Sequence, residues 1–262
     1  MMKSKRYIVF IFSLFTVGLL AQEWNVIDTE NLLTKKEKIA IERALQYQSD
    51  FFNRLFSEKM VNSSDIKFVV AKNLAEYIHL QLKYEYSQIN SSGFFSSKDS
   101  TVVVFKDKNK NANIFLRTCY HELSHAFLYI HVGNNYIPPA WLIEGLATYH
   151  EQMTYDKKNI THRVNSYYVA RVKTLIDLKD INLAEFVNWE YQKFSRESFT
   201  QEGYGYAIGY CMVLFMMQQC EDKAFTVFRN LVNEYSTVEV FDKYYSGGFS
   251  QFEKDFIAHF GK

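Results

Sequence analysis

The sequence predicts an α+β chain in which a small N-terminal sheet with its helices is followed by a mainly helical C-terminal lobe. Three observations lead there. Two short runs rich in β-branched residues, 66–71 and 101–105, fall in the first 111 residues. From Asn113 onward, apolar residues recur at helical spacing almost without interruption. The 262 residues include only two prolines and ten glycines, so few positions force a helix to stop.

At the N-terminus, Lys3, Lys5 and Arg6 precede an uncharged, largely apolar stretch over 7–20, and Gly18-Leu-Leu-Ala21 supplies small residues before Gln22. This is the form of a secretory signal, with cleavage expected near Ala21. The apolar run falls short of the ~20 residues that cross a bilayer, which makes an uncleaved anchor the weaker reading. Residues 1–21 are therefore read as a signal peptide, and 22–262 as a single domain that is secreted or periplasmic. Within it, 22–111 is the helix and small-sheet part and 112–262 the helical lobe.

In the first part, Thr34-Lys-Lys-Glu37 has the form of a capping box, and Ile39, Ile41, Ala44, Leu45, Phe51, Phe52, Leu55 and Phe56 follow at helical spacing. Residues 66–71 read as a strand, Asn73-Leu-Ala-Glu76 opens a short helix, 91–97 is turn-like, and 101–105 reads as a second strand. Residues 106–110, with three lysines and one aspartate, read as a solvated loop. Helices are expected near 113–132, 139–154, 161–177, 203–219, 222–235 and 249–260, with breaks at Gly133-Asn-Asn, Asp156-Lys-Lys-Asn and Ser246-Gly-Gly. Phe225, Phe228, Leu231, Phe252, Phe256 and Phe260 form helical stripes expected in the core. Pro138 and Pro139 stand where the second of these helices begins, a place where proline costs a helix little.

Composition narrows the function. Hydrophobic residues make up 48% and charged residues 23% of the chain, which excludes a disordered or low-complexity protein. Thirty basic residues against 29 acidic give +1, and without the three in the leader the balance is 27 against 29, or −2. So small a charge offers no global attraction to nucleic acid or to an anionic membrane, and neither is expected as a partner of the mature form. Cys119, Cys211 and Cys220 are too few and too irregular for a disulfide framework.

The chemistry lies in His121-Glu-Leu-Ser-His125, an H-E-x-x-H motif within a predicted helix. Histidines four apart sit one turn apart on one helix face, so both imidazoles can reach one metal ion. Glu122, rotated by ~100° from His121, can bear on a water at that metal without being a ligand. Three ligands and one open position are what a catalytic zinc ion requires. Two residues compete for the third place. His131 makes the segment resemble the metzincin pattern H-E-x-x-H-x-x-G-x-x-H, but Leu128 stands where metzincins have the glycine that turns the chain back. On a continuing helix His131 points away from His125 and reads as a helix-end histidine facing the last carbonyls. Glu144, in Trp141-Leu-Ile-Glu-Gly-Leu-Ala-Thr-Tyr149, is the other candidate. A loop through Gly133 and the two prolines, then an antiparallel helix, returns its carboxylate to the metal. His79, His150, His162 and His259 have no partner at ligand spacing and read as surface or helix-end residues.

H-E-x-x-H, eighteen residues, then W-L-x-E-G-x-A is similar to the gluzincin metallopeptidases, particularly their aminopeptidase and leukotriene-hydrolase branch. The resemblance covers roughly 66–215 and implies a thermolysin-like fold, Zn²⁺ bound by His121, His125 and Glu144, and Glu122 as general base. It also implies an oxyanion-stabilising tyrosine in a Y-x-x-G setting, which Tyr206-Ala-Ile-Gly209 supplies. The chain departs from the branch in lacking the G-x-M-E-N segment that holds a substrate amino terminus. It also carries Thr148 where thermolysin-like members place an aspartate behind a ligand histidine. The function expected is a monomeric zinc metallopeptidase acting on a peptide or protein substrate. Its rivals are a non-catalytic secreted binding protein with a structural zinc site, and a metzincin-like peptidase using His131.

Overall fold

The computed structural model describes residues 25–28, 30–56, 65–86, 91–107, 111–133, 137–156, 159–200, 203–219, 221–233 and 236–261. The signal-like segment 1–21, Asn134 and Asn135, residues 108–110, Lys157 and Lys158, and Cys220 lie outside the described residues. The architecture is α+β, a small mixed sheet with a larger set of helices.

Four strands form the sheet: β1 (Asn25–Ile27), β2 (Lys67–Ala71), β3 (Gly93–Ser96) and β4 (Thr101–Phe105), in the order β1-β2-β4-β3. The first three in that order are parallel, and β3 runs antiparallel to β4 along the edge. The strand period of two sorts the side chains onto two faces. Phe68, Val70, Val102 and Val104 enter the main core, whereas Ala71, Phe94 and Val103 meet Tyr77 of α2 (Leu74–Lys83) in a smaller cluster. Asn73 caps α2 by accepting from the Glu76 N–H at 2.9 Å.

β3 corrects the turn-like reading of 91–97. Its serines and glycine suggest a loop, but Phe94 pairs with Val103 and Phe95 with Val102, and that long-range pairing makes the strand. Gly93 is required by what lies beside it. A Cβ there would stand 2.7 Å from Thr118 Cγ2 and 2.9 Å from Glu122 Cγ, so the edge strand can press against the helix carrying the H-E-x-x-H motif only without one.

Before the sheet, α1 (Lys35–Phe56) begins with the expected capping box. The Thr34 N–H donates to Glu37 Oε2 at 2.7 Å, and the Glu37 N–H donates back to Thr34 Oγ1 at 3.3 Å. Lys106 departs from the solvated-loop reading, because its Nζ donates to the same Glu37 oxygen at 2.7 Å and to Leu32 O at 2.9 Å. The end of β4 is thereby tied to the start of α1.

The helical lobe contains α3 (Ala112–Val132), α4 (Ala140–His150), α5 (Ser166–Asp177), α6 (Leu183–Phe186), α7 (Tyr191–Thr200), α8 (Tyr204–Gln219), α9 (Glu221–Leu231), α10 (Thr237–Tyr244) and α11 (Gly248–Phe260). Two expected helices prove too long at the ends that face each other. The 139–154 helix stops at His150 and the 161–177 helix starts at Ser166, because an antiparallel hairpin of β5 (Met153–Asp156) and β6 (Asn159–His162) lies between them. Thr154 and Thr161 face each other across it, their hydroxyls 2.9 Å apart, a β-branched pair that suits a ladder better than a helix. β1, α6, α7 and α10 have no counterpart in the sequence reading.

The lobe is organised around α8, which is buried on nearly every side. It meets α4 backbone to backbone. A Cβ on Gly145 would stand 2.6 Å from Gly209 O, and one on Gly209 would stand 2.9 Å from Trp141 O. The glycines of the E-G-x-A and Y-x-x-G segments are thus the point at which two helices touch. Phe225, Phe228, Leu231, Phe252, Phe256 and Phe260 are buried in the main core, as their spacing suggests, and Cys119 and Cys211 are buried free thiols. Of its two expected readings, surface or helix end, His150 takes the second, as the last residue of α4, and it is fully buried against Phe51 and Phe52 of α1, with Nδ1 3.0 Å from Ser124 Oγ.

Candidate metal centre

α3 and α4 bring together the three residues that the sequence suggests as metal ligands. His121 and His125, one turn apart on α3, bring their Nε2 atoms to 3.0 Å from each other. Glu144, on the second turn of α4, places Oε2 3.4 Å from the first and 3.7 Å from the second. A tetrahedral cation with ligand bonds of ~2.05 Å holds its donor atoms ~3.3 Å apart, close to all three separations. Glu144 is 1% exposed, and its Oε2 makes no hydrogen bond with any described residue. An ionised oxygen buried without a donor is costly; a cation between it and the two imidazoles removes that cost. These three residues can therefore hold a metal ion, and they are the one such cluster among the described residues.

Electrostatics agrees with the geometry. Burial opposes ionisation of Glu144, but the His125 and His121 imidazoles and the Tyr191 hydroxyl outweigh it and hold the carboxyl down to about 2. Burial pushes His125 down to about 4. His121 goes the other way, because its contacts with Glu144 and Glu151 exceed the effect of burial.

Glu122 points into the same region without joining the cluster. Burial, helped by the negative charge of Glu144 and Glu151 and opposed by His121, raises its carboxyl to about 7. Such a group gains and loses a proton readily near neutrality. Tyr206, near the start of α8, lines the same cleft, and its ring meets Phe194 edge-on at 5.4 Å. Its hydroxyl has no hydrogen-bond partner among the described residues, and the Glu144 charge and burial keep it protonated.

His131 is elsewhere. Its Nδ1 lies 2.8 Å from Phe127 O and its Nε2 3.0 Å from Asn53 Oδ1, and its ring stacks on Phe52 and Phe56. Leucine at 128 lets α3 continue through this position, and His131 turns away from the cluster to face a late carbonyl of its own helix.

Three neighbours of the cluster escape the sequence reading. Glu151 caps α4, with Oε1 2.7 Å from His121 Nδ1, and its Oε2 accepts from Arg117 Nη2 at 2.8 Å. The carboxylate thus does for His121 what Thr148 cannot, fixing the ring so that Nε2 faces the cluster. A usable signal existed: Glu151 is seven residues from Glu144, two turns along one helix face, and Arg117 is one turn before His121. Tyr191 donates its hydroxyl to Glu144 Oε1 at 2.8 Å. No local spacing announces it, because its approach depends on the path from α6 into α7.

His121, Glu122, His125, Glu144, Tyr191 and Tyr206 line a cleft of about 1160 Å³ between the β3 edge, α3, α4, α7 and α8. Phe95, Leu128, Val132, Ile137, Ile143 and Phe199 give it apolar walls, and the polar groups converge at its base. No family model matches the chain, and no curated protein matches it in sequence. The likeness to gluzincins therefore rests on the motif residues and their arrangement alone. No helix among the described residues is long and apolar enough to cross a membrane.

Proposed function

We infer that this protein is a zinc-dependent metallopeptidase of gluzincin type and thermolysin-like fold, exported by its N-terminal signal and acting on peptide or protein substrates. The observation that carries the reading is the convergence of His121, His125 and Glu144 on one point, with the raised carboxyl of Glu122 beside them, on the floor of an open cleft. A purely structural metal site has no use for that extra buried carboxyl, nor for a cleft opening onto the cluster.

His121, His125 and Glu144 would hold the zinc ion. Zinc in such a site acts as a Lewis acid that polarises a carbonyl and acidifies water. Glu122 takes the proton of the attacking water and passes it to the leaving amine, a cycle suited to a carboxyl that burial raises above its usual range. Tyr206 offers its unengaged hydroxyl to the oxyanion of the tetrahedral intermediate, where one lost donor typically costs ~100-fold or more in turnover. β3 borders the cleft through Gly93 and Phe95 and is the last strand of its sheet. Its outer edge can pair with an extended substrate backbone, which supports a polypeptide as substrate.

Purified protein incubated with a broad peptide library should cleave it, lose cleavage when all metal is chelated, and recover it on addition of zinc. Cleavage that survives complete metal removal contradicts the reading.

A further inference from the structure

Four tyrosines, Tyr86, Tyr129, Tyr191 and Tyr206, line the cleft, and Tyr191 is hydrogen-bonded to a candidate ligand. Tyr191 is 43% exposed, so its side chain is not buried for the sake of packing. Its hydroxyl nonetheless reaches a carboxylate that is 1% exposed. Among the described residues it is the sole hydrogen-bond donor to Glu144 Oε1.

The two oxygens of Glu144 consequently have different surroundings. Oε1 faces Tyr191 at 2.8 Å, whereas Oε2 faces the two imidazole nitrogens at 3.4 and 3.7 Å. The terminal torsion of a glutamate is soft and broadly two-fold. Without a partner, the carboxylate could present either oxygen, or both, to a cation. Both together would add a further ligand and crowd the position that a catalytic zinc site keeps open for water or substrate.

We propose that Tyr191 is a positioning residue that holds Glu144 as a one-oxygen metal ligand and so keeps the remaining coordination position free. The proposal rests on the metallopeptidase reading of the cluster. It also gives the tyrosines separate roles, the Tyr191 proton being committed to Glu144 and the Tyr206 hydroxyl left for substrate.

Tyr191→Phe removes the hydroxyl and keeps the ring. Zinc affinity of the full chain, measured by competition with a chromophoric chelator, is expected to fall ~10–100-fold, the usual effect of removing a hydrogen-bond partner from a metal ligand. The visible absorption of the cobalt(II)-loaded variant should weaken as the site passes from four towards five ligands, while Tyr206→Phe should leave affinity and spectrum unchanged. Unaltered affinity and an unaltered cobalt spectrum in Tyr191→Phe overturn the proposal. X-ray absorption on the unsubstituted zinc protein decides it without a variant: one carboxylate oxygen at bonding distance supports it, and two overturn it. A wild-type chain that takes up no zinc would remove the metallopeptidase reading and this proposal together, a result distinct from a zinc-binding chain indifferent to residue 191.

Discussion

At the residue scale, the cluster is held by groups that do not themselves touch a metal. Glu151 grips His121 Nδ1 at 2.7 Å and is gripped by Arg117 at 2.8 Å, so the ring cannot rotate without breaking a charged contact. Glu151→Ala should leave the chain folded and lower zinc affinity ~10–100-fold, as read by chelator competition alongside circular dichroism. Affinity equal to wild type would show that α3 alone orients the ring. The candidate ligands were legible because helical spacing is local: His121 and His125, with Glu122 beside them, follow from one turn of α3, and Glu144 from a turn-back through Gly133 and two prolines. Glu151 was half legible, since its seven-residue spacing from Glu144 is visible in the sequence but the family pattern points to position 148 instead. Tyr191 was not legible, because it reaches Glu144 from 47 residues away.

At the element scale, Glu144 and Tyr206 share a cleft because α4 and α8 meet at two glycines. A methyl at Gly209 would be 2.9 Å from Trp141 O, and at Gly145 2.6 Å from Gly209 O; backbone atoms inside two packed helices have little room to give. Gly209→Ala should therefore destabilise by about 1–3 kcal/mol, the usual cost of overpacking. The urea midpoint should fall at an unchanged slope, and turnover should drop as Tyr206 shifts. A midpoint within error of wild type would mean that the helices separate freely. Long helices with continuous apolar stripes, α1, α3, α8 and α11, were readable from the sequence to within a few residues. The short elements were not. β3 exists through its pairing with β4, the β5–β6 hairpin interrupts what reads as helix, and α7 buries little beyond Phe194 and Ser198 because its other face lines the cleft.

At the scale of the whole molecule, buried titratable groups tie elements distant in the chain together and set the response to acid. His150 is enclosed between α1, α3 and the hairpin, and burial, followed by the neighbouring His162, drives its pKa well below 6.5. A depressed folded pKa means that the unfolded chain takes up the proton first. Stability is then complete above pH 6.5 and falls as pH drops below it, by up to about 1.4 kcal/mol per pH unit for one such group. With metal chelated, His150→Asn should show a flatter decline in urea midpoint between pH 6.5 and 5 than wild type; parallel declines would count against His150 as a source. Glu37 acts lower on the scale. Burial alone would raise its carboxyl, but hydrogen bonds from Lys106 and Thr34 and the Lys106 charge hold it below 4.5. Its contribution is present above pH 4.5 and lost as pH falls through the depressed value. Lys106→Met should remove that increment and leave zinc affinity intact, which urea melts at pH 7 and chelator competition would check. The central claim is that three ligands and one carboxyl at the base of the cleft make a peptidase. The measurement that bears on it most directly compares wild type with Glu122→Gln, zinc content and peptide-library cleavage being read on the same preparations. The expected result is one zinc per chain in both and cleavage by wild type alone, whereas undiminished cleavage by Glu122→Gln would contradict the claim.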